Sequence, residues 1–280
     1  MSYKNILVQV DERPRCEARV NLALNLATRF EAHLTALAVV PPPRYPRPTL
    51  SALGPEIAQQ QMREGQASAT EALARFTELA RVNGWSSVET RRGGGDLITA
   101  TSLHARYNDL VVIGQRDPDD PAADFDDTWQ YPETAAMALG RPVLVVPYAG
   151  RFERLGQNVV IAWDAGREAT RAVTDALPLL RQARRVTVLV INGEKGQRHG
   201  DEPGADIALY LARHGVKVEV SQQQSGDLSV GLCLLSRMAD LDADLLVMGA
   251  YGHSRLREMV LGGVTRTILS SMTAPVLMSH

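Results

Sequence analysis

The chain has 280 residues, a length that fits two domains of ordinary size, each able to bury its own core. Its formal net charge of -2 provides no general attraction to nucleic acid or to an anionic membrane surface. No apolar run approaches the ~20 residues needed to span a bilayer, and the N-terminus lacks the apolar core of a signal peptide. We therefore expect a cytoplasmic protein that binds neither nucleic acid nor membrane.

The first half of the chain alternates short apolar runs with helical patterns. An apolar run over 5–11 predicts the opening strand. A proline-rich connector over 41–48 is interpreted as a surface loop or as a docking site for a partner, and a long helix is predicted over 56–80. Two further apolar runs, 109–114 and 142–146, predict the last two strands of this half.

The second half repeats this order with clearer patterns. Strands are predicted at 159–163, 186–191, 216–220, 245–248 and 276–278. Helices are predicted at 168–182, 206–214, 228–241 and 256–272. Continuous apolar strands that alternate with helices indicate a parallel sheet covered on both faces.

Four segments of the first half match four segments of the second half in the same order. The pairs are 5–11 with 158–164, 95–97 with 226–228, 109–114 with 244–249 and 142–146 with 275–279. Their near-constant offset predicts a duplicated unit of about 140 residues. We therefore predict an α/β fold with two tandem repeats of a five-stranded, parallel, doubly wound sheet. The domains are assigned as 1–150 and 151–280, with the polar stretch 151–157 as the linker.

The most informative stretch is a glycine-rich turn that follows the fourth strand of the second copy. Its pattern is Gly249-x2-Gly252-x9-Gly262-Gly263. Glycines let backbone N–H groups crowd an anion, and a helix start adds partial positive charge. Ligands of parallel sheets bind beyond the carboxyl ends of the strands, where Asp164 and Gly249 both fall. The pattern predicts an anion-binding site at this edge.

These residues resemble a universal stress protein domain, strongly in the second copy and loosely in the first. The resemblance rests on the run that ends in Asp164, on the glycine loop that closes with Thr265, and on the terminal Pro275-Val-Leu-Met. It implies a tandem protein of two Rossmann-like sheets, of the kind also found in adenine nucleotide α-hydrolases. It also implies a single working site for ATP, with or without Mg²⁺, in the second copy.

The resemblance assigns roles by position. Asp164 would accept a hydrogen bond from adenine, and the base would be lined by Ala162, Trp163 and Val190. Ribose and phosphates would meet Met248, Gly249, Gly252 and His253. The phosphate chain would be enclosed by Gly262, Gly263, Val264 and Thr265. The Trp163 side chain is interpreted first as core packing, with a base-stacking platform as the alternative. His253 is interpreted as a phosphate contact, with catalysis as the alternative.

One position departs from the family pattern. Position 263 is Gly, where ATP-binding members carry Ser or Thr. The missing hydroxyl donor is worth ~0.5–1.5 kcal/mol, so its loss weakens binding by roughly tenfold at most. Thr265 is an alternative source of a hydroxyl, and a glycine loop that only turns tightly is the alternative to nucleotide binding.

The first copy is not expected to bind phosphate in the same way. Gly114 is kept, but the second glycine position falls on Asp117, and six carboxylates lie between 117 and 127. Such a run repels a polyphosphate. It is interpreted as a solvated or helix-capping loop, with a divalent metal as the alternative. Asp11 and Val39 could form a vestigial base pocket, and we expect this copy to act as a scaffold or pairing half.

Three functions stay open at this stage. The first is a nucleotide-binding stress regulator that acts on an unknown protein partner; the second is an interaction scaffold without nucleotide; the third is a slow ATP hydrolase. The sequence has no Walker-type lysine, so it lacks an obvious charge clamp for fast hydrolysis, and we assign neither a catalytic residue nor a metal site. The runs 142–146 and 275–278 are expected to pair within one chain and mimic a dimer, and a homodimer of chains is a further alternative.

Overall fold

The computed structural model describes residues 2–13, 15–42, 55–119, 131–193, 202–250 and 262–280. The chain divides into two compact units, Tyr3–Arg141 and Pro142–His280, the second of which also takes Ser2. The repeat boundary predicted at residue 150 refers to the duplication and stays a prediction. In the described ranges, no helix combines the length and the apolar character needed to cross a bilayer.

The first unit is a parallel sheet with helices between its strands. Its strands are β1 (Asn5–Val10), β2 (His33–Val40), β3 (Val88–Gly94) and β4 (Leu110–Gly114). Its described helices are α1 (Cys16–Phe30), α2 (Pro55–Val82), α3 (Leu97–Ala105) and α4 (Tyr131–Ala138). The strand order is β3-β2-β1-β4, and every pairing among these four strands is parallel. The long helix predicted over 56–80 is confirmed as α2, whereas residues 43–48 of the proline-rich connector lie outside the described residues.

The second unit contains the repeat of this arrangement and one additional strand. Its strands are β5 (Val143–Val146), β6 (Asn158–Ala162), β7 (Arg185–Ile191), β8 (Val218–Gln223), β9 (Leu245–Gly249) and β10 (Val276–Ser279). Its described helices are α5 (Arg167–Leu180), α6 (Ala205–Arg213), α7 (Val230–Asp240) and α8 (Gly263–Ser271). The strand order is β5-β10-β9-β6-β7-β8. The predicted α/β class with a parallel, helix-flanked sheet in each repeat is confirmed.

The additional strand β5 is the fifth strand of the first repeat by sequence. It pairs antiparallel with β10, and Leu144 lies opposite Leu277. Both strands are fully buried, so each apolar edge is covered by the other and is withheld from solvent. The predicted pairing of 142–146 with 275–278 within one chain is confirmed.

Two helix starts differ from the prediction. The helix predicted from residue 228 begins at Val230, because the Ser229 hydroxyl accepts the Leu232 N–H at 3.3 Å and caps the first turn. The helix predicted over 256–272 begins at Gly263, and Gly262 is its extended N-cap. Residues 256–261 lie outside the described residues.

Candidate functional site

The second unit brings four of its predicted site residues, Ala162, Asp164, Met248 and Gly249, to one edge of the sheet. Strand β6 is central: Ala162, its last residue, pairs with Leu189 of β7 on one side and with Met248 of β9 on the other. The next two strands in the chain, β7 and β8, are added on one side of β6, and the strand after them, β9, lies on its opposite side. This reversal is a topological switch point, where open α/β sheets bind their ligands. Asp164 lies two residues after β6, and Gly249 is the last residue of β9; these are the two strands that flank the switch point.

Asp164 is held at the entry to helix α5. The Gly166 N–H donates to its Oδ1 at 2.9 Å, which fixes the carboxylate over the first turn of the helix. A Cβ on Gly166 would lie 2.8 Å from that same oxygen, so a larger residue at this position would force the Asp164 carboxylate to shift. The position between them, Ala165, adopts a left-handed φ of 56°. Local turn chemistry therefore fixes the Asp164 carboxylate beside the start of α5.

Two residues predicted to line the adenine base, Trp163 and Val190, differ in how deeply they are buried. The Trp163 N–H donates to the Leu189 carbonyl at 3.0 Å and continues the β6–β7 ladder by one residue, and the Trp163 side chain is half-buried. Val190 is 1% exposed, and its methyl groups pack into the space left by Gly193 and Gly204. The backbone around Trp163 therefore borders the site, whereas the Val190 side chain belongs to the core. Their assignment to a base pocket stays a prediction.

Gly249 ends β9 directly beneath the start of α5. A Cβ at this position would lie 2.6 Å from the Ala169 amide nitrogen and 2.7 Å from the Glu168 carbonyl carbon. These are backbone atoms that cannot swing away, so only glycine fits here. The consequence is that the first turn of α5 sits on the end of β9, beside the position predicted for ribose and phosphate.

Glu168 is a residue of this edge that the sequence analysis did not assign. It lies in the first turn of α5, is 8% exposed and pairs with the largely exposed Arg167 at 2.8 Å. Burial alone would raise its pKa, but its own backbone N–H and the Arg167 guanidinium together hold the pKa below the ordinary value. An acidic residue directly after the Asp-x-Gly-Arg turn is the signal that points to it. Together with Asp164 it makes this edge acidic.

The second half of the predicted phosphate loop forms the start of helix α8. Gly262 is the N-cap, Gly263 is the first helical residue, and the N-cap glycine offers no side-chain cap to the N–H groups of this turn. Gly263 is exposed, and a Cβ there would meet no atom within 4 Å, whereas the side chain of Thr265 is 3% exposed. Val264, between them, is half-buried. Gly263 is therefore the position of this turn that has room for a side chain. The groups of this turn that can donate to a phosphate are its backbone N–H groups.

Two predicted site residues, Gly252 and His253, lie outside the described residues, so their place at this edge stays a prediction. Within the described ranges, no group of three or more His, Cys, Asp or Glu side chains is arranged to hold a metal ion.

The matching edge of the first unit is filled by its own side chain. The Arg19 guanidinium of α1 donates to Asp11 Oδ2 at 2.8 Å and to the Gln9 carbonyl at 2.7 Å. The Arg13 N–H donates to the other Asp11 oxygen at 3.1 Å. The expectation of a vestigial pocket between Asp11 and Val39 did not include this arginine. The sequence feature that could have revealed the role of Arg19 is a single charged residue on the apolar face of helix α1.

The acidic segment of the first unit is described only in part. Asp117 accepts the Asp119 N–H at 3.1 Å, and its other oxygen lies 3.6 Å from Arg15 Nε. Both contacts are those of a polar loop that stabilises its own turn. The remaining carboxylates, from residue 120 to residue 127, lie outside the described residues.

Comparison with known sequences identifies both repeats. The profile of the universal stress protein family matches residues 2–122 and 156–280. The universal stress protein Slr1230 of Synechocystis sp. is 39% identical over 70 residues, which are 24% of this chain and 22% of that protein. The match thus spans about a fifth of the length of that curated relative.

Comparison with solved structures agrees at the level of the fold. A universal stress protein from Archaeoglobus fulgidus DSM 4304 superposes with a TM-score of 0.75 at 15% identity, over 98% of this chain and 95% of that one. A putative universal stress protein from Pseudomonas aeruginosa UCBPP-PA14 gives a TM-score of 0.58 at 18% identity, over 99% and 93% of the two chains. At these sequence identities the two superpositions support the tandem α/β fold only.

Proposed function

Because this chain belongs to the universal stress protein family, we propose that it is a tandem stress protein that binds one adenine nucleotide, ATP, in its second unit. The nucleotide would act as a signal that alters how the protein contacts a protein partner. The bound base would meet Asp164, and the phosphates would meet the turn between Gly249 and Gly263.

The observation that carries this proposal is the convergence of three features at one switch point. They are a carboxylate held after β6, a glycine at the end of β9 where no side chain fits, and a helix α8 whose N-cap, Gly262, has no side chain of its own. A carboxylate accepts a hydrogen bond from the amino group of adenine, and the N–H groups at a helix start donate hydrogen bonds to phosphate oxygens. One ligand that presents both a base amine and a phosphate chain would satisfy both ends.

The negative charge at this edge of the sheet affects whether ATP would bind alone or with a metal ion. Asp164 and Glu168 are both acidic, and a polyphosphate close to them would be repelled. A divalent cation on the phosphates offsets this repulsion, so we propose that ATP binds with Mg²⁺.

The test is the nucleotide content of the purified chain. Acid extraction followed by chromatography should recover about one ATP per chain, and ATP should raise the melting temperature more with Mg²⁺ than without it. Gly252→Val, which places a branched side chain in the predicted phosphate loop, should abolish retention. Gly94→Ala is the matched control, because Gly94 lies in the first unit, is not in the left-handed region of φ, and a Cβ there meets no atom within 4 Å.

Two results would replace this proposal with another. A chain that carries no nucleotide and shows no thermal shift with ATP would be an interaction scaffold, the alternative function. Release of ADP by the intact chain that stops in His253→Ala would instead indicate a slow hydrolase.

A further inference from the structure

Helix α1 of the first unit buries one charged side chain. The other buried positions of this helix, all of which the structure describes, are apolar. Arg19 is 6% exposed and lies under the carboxyl ends of β1 and β4. Its Nε donates to Gln9, its Nη2 donates to Asp11, and its Nη1 fills the space in which a Gly114 side chain would stand. A buried guanidinium is retained only when its donors are satisfied, as they are here.

Asp11 is fully engaged by this arrangement. One oxygen accepts the Arg13 N–H at 3.1 Å, and the other accepts Arg19 at 2.8 Å. Burial lowers the pKa of Arg19, but the nearby Asp11 charge outweighs that effect and raises the pKa, so the guanidinium stays charged. The side chains of the pair are 7% and 18% exposed, which shields the interaction from water and salt.

The second unit differs at one position of this arrangement. By the repeat, Asp11 matches Asp164 and Arg13 matches Gly166, and both aspartates accept the N–H of the residue two further along. Arg19 matches Ala172, which is buried but has no side-chain donor. The two units therefore share the carboxylate and its turn, and the first unit alone adds a guanidinium at this position.

We propose that Arg19 is an internal occupant of the first unit's base pocket, which closes that unit to adenine nucleosides. A guanidinium is a planar group with N–H donors, and it donates to the carboxylate as the amino group of adenine would. This inference rests on the proposed role of Asp164 in the second unit. A blocked base pocket in the first unit would explain one nucleotide per chain without the acidic segment. That segment would repel the phosphates of a nucleotide but would not exclude its base.

The experiment removes the occupant and supplies a base without phosphates. Arg19→Ala is combined with Asp164→Ala, which silences the second unit, and adenosine binding is measured by isothermal titration calorimetry on the full chain. Asp164→Ala alone should bind no adenosine, and the double variant should bind one per chain. Arg15→Ala with Asp164→Ala is the matched control, because Arg15 is largely exposed and pairs with Asp117; it should bind none.

A second measurement uses the unmodified chain, because loss of Arg19 leaves a buried carboxylate that can prevent folding. The side-chain N–H resonances of Arg19 should stay protected from exchange and unshifted when ATP saturates the protein. Displacement of these resonances by ATP would overturn the proposal.

The two hypotheses fail in different ways. If the unmodified chain binds no ATP and Asp164→Ala changes nothing, the proposed function is wrong. If the chain binds ATP, loses it with Asp164→Ala, and the folded double variant still takes up no adenosine, then Arg19 is only a structural residue and the inference is overturned.

Discussion

Gly249 lies so close to Ala169 that a Cβ on the glycine would fall 2.6 Å from the Ala169 amide nitrogen. This contact joins the last residue of β9 to the first turn of α5, two elements that are distant in the chain. Neither side can give way by rotating a side chain, because both are backbone. The closeness holds the N-terminus of α5 against the end of β9, at the predicted nucleotide site.

Gly249→Ala should therefore destabilise the second unit. Forcing a methyl group into this contact displaces backbone, and overpacking of this kind costs about 1–3 kcal/mol. Urea unfolding followed by circular dichroism measures it. Gly263→Ala is the control, since a Cβ there meets no atom within 4 Å, and it should change the free energy of unfolding by less than about 0.5 kcal/mol. Equal stability of the two variants would contradict the steric explanation.

Gly263→Ser should strengthen ATP binding. The position is exposed, has room for a side chain and begins helix α8, so the serine hydroxyl can be added without strain. One added hydrogen bond to phosphate improves the dissociation constant by roughly tenfold at most. Calorimetric titration with Mg·ATP measures this, and Gly263→Ala should show no gain. A serine variant no tighter than the alanine variant would place the phosphates elsewhere.

Two aspartates of the repeated motif hold neighbouring strands and respond differently to amide substitution. Asp244 uses both oxygens, accepting the N–H groups of Gly156, Gln157 and Asn158 at 2.9–3.1 Å. Asp109 accepts two N–H groups through a single oxygen. An asparagine keeps one acceptor and turns the other into a donor.

Asp244→Asn should therefore cost about 1.5–3 kcal/mol of unfolding free energy, whereas Asp109→Asn should cost less than about 1 kcal/mol. Urea unfolding of the two variants measures the difference. Equal costs would show that the number of engaged oxygens does not matter.

Glu168 should make stability depend on acid pH. Its folded-state pKa lies below the ordinary value of 4.5. The stabilisation is therefore present above that value and is lost as the pH falls through the folded pKa. Glu168→Gln should flatten the fall in unfolding free energy between about pH 5 and pH 3, measured by urea unfolding at each pH. Arg167→Ala, which removes one source of the lowering, should flatten it in part; an unchanged slope in both variants would contradict this assignment.

Much of the fold could be predicted from the sequence, because its signals are local. The apolar runs define strands, and the paired motifs that end in Asp11 and Asp164 reveal the duplication. The glycine pattern predicts which end of the second sheet carries a site. Helix starts were less accurate, as at Ser229, where a hydroxyl two residues beyond Asp227 caps the helix.

The tertiary structure decided what depends on segments that meet only after folding. The repeat motif gave Asp11 and Asp164 equivalent positions in the two copies. In the structure, the Arg19 guanidinium of the following helix binds Asp11, whereas the residue that matches Arg19 in the second unit is Ala172. The sequence marks Gly249 only as the first glycine of a turn motif; its need for a bare backbone appears when α5 lies across it. Periodicity and spacing report local propensity and burial, whereas close approach and ion pairing depend on distances across the fold.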